Sequence, residues 1–381
     1  MNREIWLDFL RVTACFMVMV VHSTEPFYLG GDGTLVLTGT DAFWVSVFEG
    51  LCRSCVPLFI IASSYLQFPL HYSTAEFWKR RAIRILVPML LWTVVYALVW
   101  GEPAANFKGL LLNFNYAAGH LWFVYMLVGL YLVMPLLSPW AEKVSRRELE
   151  VYIGIWIVTT LIPFVREAAG GAPALVFASD GLPAQALFPL WGEASWNPFG
   201  TFYYVSGFVG YMLVGLYIKR FVRGDNFSWM FGWTFFLLGF VLTCYGFLQR
   251  ISASGEFPVS GPLDLAVGWE TAIAFCGLPV ALSAVGLVLI FRRISGGGAF
   301  YNHVILPLSK AGYGMYLIHM LVLASVSAWL RDLWGVGPDG ALGVWTTPVQ
   351  ILATAFLSFT AVGIAAVLLQ RIPRIGKYIM G

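Results

Sequence analysis

Ten apolar runs govern what this chain can fold into. They lie at roughly 5 to 23, 42 to 68, 85 to 100, 120 to 138, 151 to 166, 201 to 218, 229 to 249, 267 to 291, 309 to 330 and 347 to 370, and each has the length and polarity of a bilayer span. In hydrocarbon every backbone N–H and C=O must find its partner within the protein, and the alternating pattern of a barrel strand is absent. The predicted fold class is therefore an all-α integral membrane protein with about ten transmembrane helices. Composition agrees: of 381 residues, 59% are apolar and only 11% charged, against roughly 25% charged in an average soluble domain. An ordinary soluble enzyme is excluded, and residues 1–381 read as one polytopic domain with no separate soluble part. The bilayer is the first partner of such a chain.

Placement of charge sets the orientation, because cytoplasmic loops accumulate Lys and Arg. With the N-terminus inside, 17 of the 23 Lys and Arg fall in inner segments. Lys108, Arg166, Arg250 and Arg331 fall outside, and Arg11 and Arg53 within spans. Both termini are thus expected to be cytoplasmic. A net charge of +3 gives no basic domain of the kind that binds nucleic acid. The first run reads as a retained helix and not as a signal peptide, since it carries Asp8 and Arg11 and no A-x-A-like site follows before Pro26. Cys52 and Cys55 form a C-x-x-C inside an apolar run, which reads as helix packing and not as redox chemistry. The glycines after Ser295 lack the Lys and Ser/Thr of a P-loop and read as a linker. No metal site is expected. The outer segment at about 167 to 200, rich in Pro, Gly, Ala and Trp, is placed to cover a site from outside.

Ionisable groups within spans carry an insertion cost of roughly 2.5–3.5 kcal/mol each, which makes them functional candidates. Arg11 and His22 are eleven residues apart, about three helical turns, so they share a face with a rise of roughly 16 Å. Asp8 lies beside Arg11 on the same wheel. The three define a groove running from the inner leaflet toward the outer, with His22 near the outer end as a candidate general base. The plainer readings are an interfacial His22, and an Arg11 that snorkels or pairs with Asp8. Arg53 precedes Pro57, which frees a carbonyl one turn back and marks a broken helix lining a cavity; pairing with Glu49 one turn earlier is the structural alternative. Arg81 and Arg84 fall on one face and suit phosphate, although anchoring to the membrane accounts for such clusters too. His120 opens the fourth run. Ser309 and Tyr316 share a face of the ninth, with His319 one turn further and near mid-membrane, where Tyr and His also serve simply as interhelical hydrogen-bonding residues.

Taken together, Trp6-Leu7-Asp8-Phe9-Leu10-Arg11 with His22, Val56-Pro57-Leu58-Phe59 after Arg53, Arg81-Ala82-Ile83-Arg84, His120-Leu121-Trp122-Phe123 and Tyr316-Leu317-Ile318-His319 resemble the membrane-bound acyltransferase 3 family. The likeness covers nearly the whole chain and is nearest to stand-alone O-acetyltransferases of bacterial surface polysaccharides. Where the family usually has Ser-Gly-Tyr-Leu, this chain has Ser63-Ser64-Tyr65-Leu66. The resemblance implies a multi-pass inner-membrane enzyme. It would transfer an acyl group, usually acetyl, from cytoplasmic acyl-CoA such as acetyl-CoA to a hydroxyl of an outward-facing glycan or lipid-linked saccharide. On that reading His22 and Arg11 are the catalytic candidates, while Arg53, Arg81, Arg84, His120, Ser309, Tyr316 and His319 bind donor or acceptor. His22 would act as general base or acyl carrier, and Arg53 or Tyr316 would stabilise the oxyanion.

A multi-pass transporter or flippase is the alternative, since buried ionisables and a broken helix suit it as well. The oligomeric state is not encoded legibly. The orientation is open to a direct test: single cysteines placed between residues 24 and 41 should react with an impermeant maleimide added outside intact cells. Labelling only after permeabilisation would reverse the topology.

Overall fold

The computed structural model describes residues 3–30, 33–100, 102–110, 118–168, 199–334 and 346–381, and nearly all of them are helical. Most of the segment expected to cover a site from outside lies beyond the described residues. The chain begins with α1 (Ile5–Thr24), α2 (Gly39–Cys52), α3 (Cys55–Gln67), α4 (Thr74–Arg81), α5 (Val87–Val99) and the short α6 (Pro103–Leu110). It continues through α7 (Trp122–Lys143), α8 (Arg146–Ala168), α9 (Val209–Phe221), α10 (Asn226–Ala253), α11 (Leu263–Trp269) and α12 (Leu278–Phe291). A single turn, α13 (Gly298–Phe300), leads to α14 (Leu306–Trp334), α15 (Thr347–Gln370) and α16 (Gly376–Met380).

Among the described residues eight helical segments are long and apolar enough to cross a membrane. A ninth comes from Leu263–Ile273 and Leu278–Phe291, which are bent by 46°. The run expected at 201 to 218 does not complete a tenth. Gly207, at φ +71°, separates a 3-10 turn over Gly200–Val205 from α9. The 13 residues of α9 rise only about 20 Å, less than the roughly 30 Å hydrocarbon core, and most are buried. The second span is broken as expected: α2 ends at Cys52 and α3 starts at Cys55. Pro57 is then the third residue of α3, where its missing N–H has no intrahelical carbonyl to lose.

Basic side chains finish several helices. Arg220 donates to Ala141 O at 2.7 Å and Glu142 O at 3.0 Å, at the end of α7. Arg292 donates to Val222 O at 2.8 Å beyond α9, and Lys219 to Phe68 O at 3.4 Å beyond α3. The last carbonyls of a helix lack intrahelical donors and carry its negative dipole end, so cations settle there. The same end of the bundle holds both chain ends. Trp6 packs on Tyr65, which lies under Arg292. Gln370 donates to Lys310 O at 3.0 Å, and Trp92 to Ile379 O at 2.9 Å in α16.

The opposite end carries a small antiparallel sheet, ordered β1 (Leu29–Gly30), β2 (Gly33–Val36) and β3 (Val259–Pro262), with Leu35 opposite Ser260. It covers a second core of Tyr28, Val36, Phe247 and Trp269.

Close helix crossings replace the missing hydrophobic drive of a lipid medium. At the α10–α12 crossing, a Cβ on Gly239 would meet Ser283 Oγ at 2.4 Å and Pro279 O at 2.5 Å, whereas nothing lies within 4 Å of one on Gly129. Gly239→Ala should therefore lower the thermal midpoint of the detergent-solubilised protein, at an overpacking cost of about 1–3 kcal/mol. Gly129→Ala should leave it unchanged.

Candidate functional site

His22 lies in the last turn of α1, which ends at Thr24 because Pro26 cannot continue the ladder. The next residue, Glu25, sits one turn beyond His22, and its Oε1 lies 2.7 Å from His22 Nδ1. A carboxylate accepts, so Nδ1 carries the hydrogen and Nε2 keeps its lone pair. An imidazole held in this tautomer by a carboxylate is the arrangement of an oriented general base.

Two further imidazoles stand beside it. The His22 and His319 ring centroids are 5.1 Å apart, and His319 and His120 are likewise 5.1 Å apart. His319, on α14, is fully buried. Its Nδ1 donates to Tyr316 O, which leaves Nε2 as a buried nitrogen without a partner. Both ring nitrogens of His120 are also buried and unpartnered, within a cage of Tyr96, Trp100 and Tyr316. Tyr316 OH is itself committed to His120 O. Three imidazoles thus cluster near the end of α1 where His22 lies, with three buried ring nitrogens on His120 and His319 left without a partner. No group of three or more His, Cys, Asp or Glu among the described residues is placed to hold a metal ion.

Arg53 anchors a second cluster. It lies at the α2–α3 break, where Nε donates to Ile273 O at 3.0 Å and NH1 lies 3.4 Å from Glu49 Oε2. Its NH2 is 3.7 Å from Glu270 Oε2, and its guanidinium rests 4.5 Å from the Phe275 ring centroid. Glu49 is fully buried and also accepts from Thr24 Oγ1 at 2.5 Å. Tyr28 donates to Glu270 Oε1 at 2.9 Å; burial, and then the Glu270 and Glu49 charges, hold its phenol well above its ordinary range and keep it a donor. One cation therefore joins two carboxylates from distant elements, and Arg53 and Glu49 lie near enough for their charges to reach His22.

At the basic end, Asp8 does not pair with Arg11. Its carboxylate takes Arg3 Nε at 2.6 Å, Arg3 NH2 at 2.8 Å, Tyr301 OH at 2.7 Å and Ser309 Oγ at 2.6 Å. Ser309 thus supports Asp8, and Arg11 has no hydrogen bond or ion pair among the described residues. Arg11 lies within electrostatic range of Asp8 and Tyr131, and the Arg81 guanidinium lies 5.0 Å from the Tyr131 ring with its Nε buried and unpartnered. Arg84 diverges from Arg81 and is exposed. A π-helical turn at Ala82–Leu86 adds a residue to the turn and rotates the two off a common face.

Spacing alone placed His22 and Arg11 on one face, Arg53 at a helix break, and His319 deep in the bundle. It did not bring the three imidazoles together, nor find Glu25, Glu270 and Tyr301. Glu25 was legible as a carboxylate at i+3 from His22. Glu270, 217 positions from Arg53, had no local signal.

These features define a multi-pass helical membrane protein with a carboxylate-held histidine at one end of α1 and unpaired guanidiniums toward the other. A family description for acyltransferase domains, acyltransferase type 3, matches residues 4–368, and the chain belongs to that family. It is a membrane acyltransferase, as the sequence motifs imply. Neither a curated protein nor a solved structure matches it.

The Arg53 network generates its own test. Arg53→Gln leaves Glu49 buried without its counter-ion, which should destabilise the protein by about 3–5 kcal/mol. Adding Glu49→Gln should restore most of that loss in thermal unfolding. Additive losses would mean that the two side chains act independently.

Proposed function

We propose that this membrane acyltransferase is an O-acetyltransferase of the inner membrane. It moves an acetyl group from acetyl-CoA, bound at the basic cytoplasmic end, to a hydroxyl of an outward-facing glycan or lipid-linked saccharide. The observation that carries the reading is the His22 Nδ1 contact with Glu25 at 2.7 Å, which leaves Nε2 free to take the acceptor's proton. In that reaction the deprotonated oxygen attacks the thioester carbonyl and the C–S bond breaks. The proton held on His22 passes to the CoA thiolate, so direct transfer balances without a covalent acyl-enzyme.

Arg11 and Arg81 suit the anionic end of the donor, because guanidinium matches phosphate bidentately and neither is spent on a carboxylate. Arg84, exposed at the rim, adds charge to that entrance. Arg53 keeps further N–H donors beyond those given to Ile273, Glu49 and Glu270, which makes it the oxyanion candidate. Tyr316, His120 and His319 are assigned to shaping the acceptor's hydroxyl pocket beside His22, and Ser309, bonded to Asp8, to the donor's entrance.

With membrane levels held equal, His22→Ala should lower acetyl-CoA consumption by inside-out vesicles by at least about 10²-fold. Glu25→Gln should lower kcat with little change in KM, and Arg11→Gln should chiefly raise KM for acetyl-CoA. Undiminished turnover in His22→Ala rejects the assignment. Movement of a saccharide across sealed vesicles without any acyl donor would instead favour the flippase reading.

A further inference from the structure

A second feature stands apart from the His22 cluster. Where the start of α14 meets the latter part of α15, the bundle surface opens into a cleft of about 450 Å³, within the size range of ligand sites, roughly 300–1,000 Å³. Its walls are apolar: Phe356, Ile364 and Leu368 are 62%, 58% and 58% exposed, and Phe359 lines the cleft with them. From Phe356 to Arg371 the helix rises about 22 Å, more than the roughly 15 Å depth of one hydrocarbon leaflet. The cleft therefore follows the exposed face of a candidate membrane-spanning helix over the length of an acyl chain.

Its polar end is cationic. Arg371 and His303 both line it, and the Arg371 guanidinium has no hydrogen bond or ion pair among the described residues. His303 Nδ1 donates to Ala299 O at 2.9 Å, which turns Nε2 into its available nitrogen. Lys310, Arg374 and Lys377 belong to the same end, while residues 295–331 and 346–381 contain no Asp or Glu. An apolar slot ending in uncompensated cations complements one kind of molecule: an amphiphile with an anionic headgroup. Basic pockets between membrane helices bind such headgroups by the same logic, and Arg grips phosphate with two parallel bonds.

We infer that this cleft is a specific site for an anionic glycerophospholipid, with one acyl chain along Phe356, Phe359, Ile364 and Leu368 and the phosphate against Arg371. The site has a structural consequence inside the bundle. One wall is the π-helical stretch Tyr301–Ile305, which carries the Tyr301 hydroxyl to Asp8 and packs Tyr301 and Ile305 on Val12 of α1. A bound lipid braces that stretch from outside.

The test is native mass spectrometry of the full chain released from detergent, titrated with phosphatidylglycerol or with phosphatidylcholine of identical chains. The wild type should retain one phosphatidylglycerol. Arg371→Gln, which removes the phosphate contact, and Thr360→Phe, which fills the exposed wall of the cleft, should each lower the retained fraction at least fivefold. Free glycerol 3-phosphate should not displace the lipid. Retention at the wild-type level by either variant, equal retention of phosphatidylcholine, or displacement by glycerol 3-phosphate would overturn the assignment.

Discussion

A carboxylate or guanidinium held among membrane helices has no water to turn to, so each one must be answered by another part of the protein. Asp8 is answered by the Arg3 guanidinium and by the hydroxyls of Tyr301, just before α14, and Ser309, in its first turn. Glu49 is answered by the end of α1 and by Arg53, and Arg53 reaches on to Glu270 and Ile273. These two clusters sit near opposite ends of α1 and fix where that helix stands. His22 and Arg11 take their positions from it. What is left unanswered is as informative as what is paired: Arg11, Arg81 Nε and the unpartnered nitrogens of His120 and His319 are among the groups still able to meet something that is not part of the chain.

The fold class was legible because lipid imposes one rule on every segment, and hydropathy records it. The break in the second span was legible for a related reason: Pro57 and Arg53 together are tolerated at that depth only beside a cavity or a partner. Two things were not. The run at 201 to 218 has the composition of a span but contains Gly207, whose left-handed backbone ends one helix before the next begins. The divergence of Arg81 from Arg84 depends on a π-turn, and a helical wheel drawn at a constant angle has no means of showing it.

For the site, the periodicity of one helix is a local property, and so the Arg11 and His22 face could be drawn directly. The meeting of His22, His120 and His319 is a tertiary event joining α1, the turn before α7 and α14, with 98 to 297 positions between them in sequence, and each histidine looks ordinary in its own surroundings. The Arg53 cation shows the limit well. Its near partner Glu49 is one turn away and was anticipated, while Glu270 enters only because the α11 and α12 pair is bent beside it.

The departure at Ser64 has a counterpart on another helix. Ser64 donates to Met212 O at 2.7 Å, and a Cβ on Gly215 would meet Ser64 Cβ at 2.9 Å and Ile61 O at 2.9 Å. The close approach of α3 and α9 needs room on one side only, and here α9 supplies it. Positions 64 and 215 are therefore not free to drift separately. Among relatives of this chain a larger residue at one should coincide with a smaller residue at the other, and a library that varied either position alone would miss the paired changes that this interface accepts.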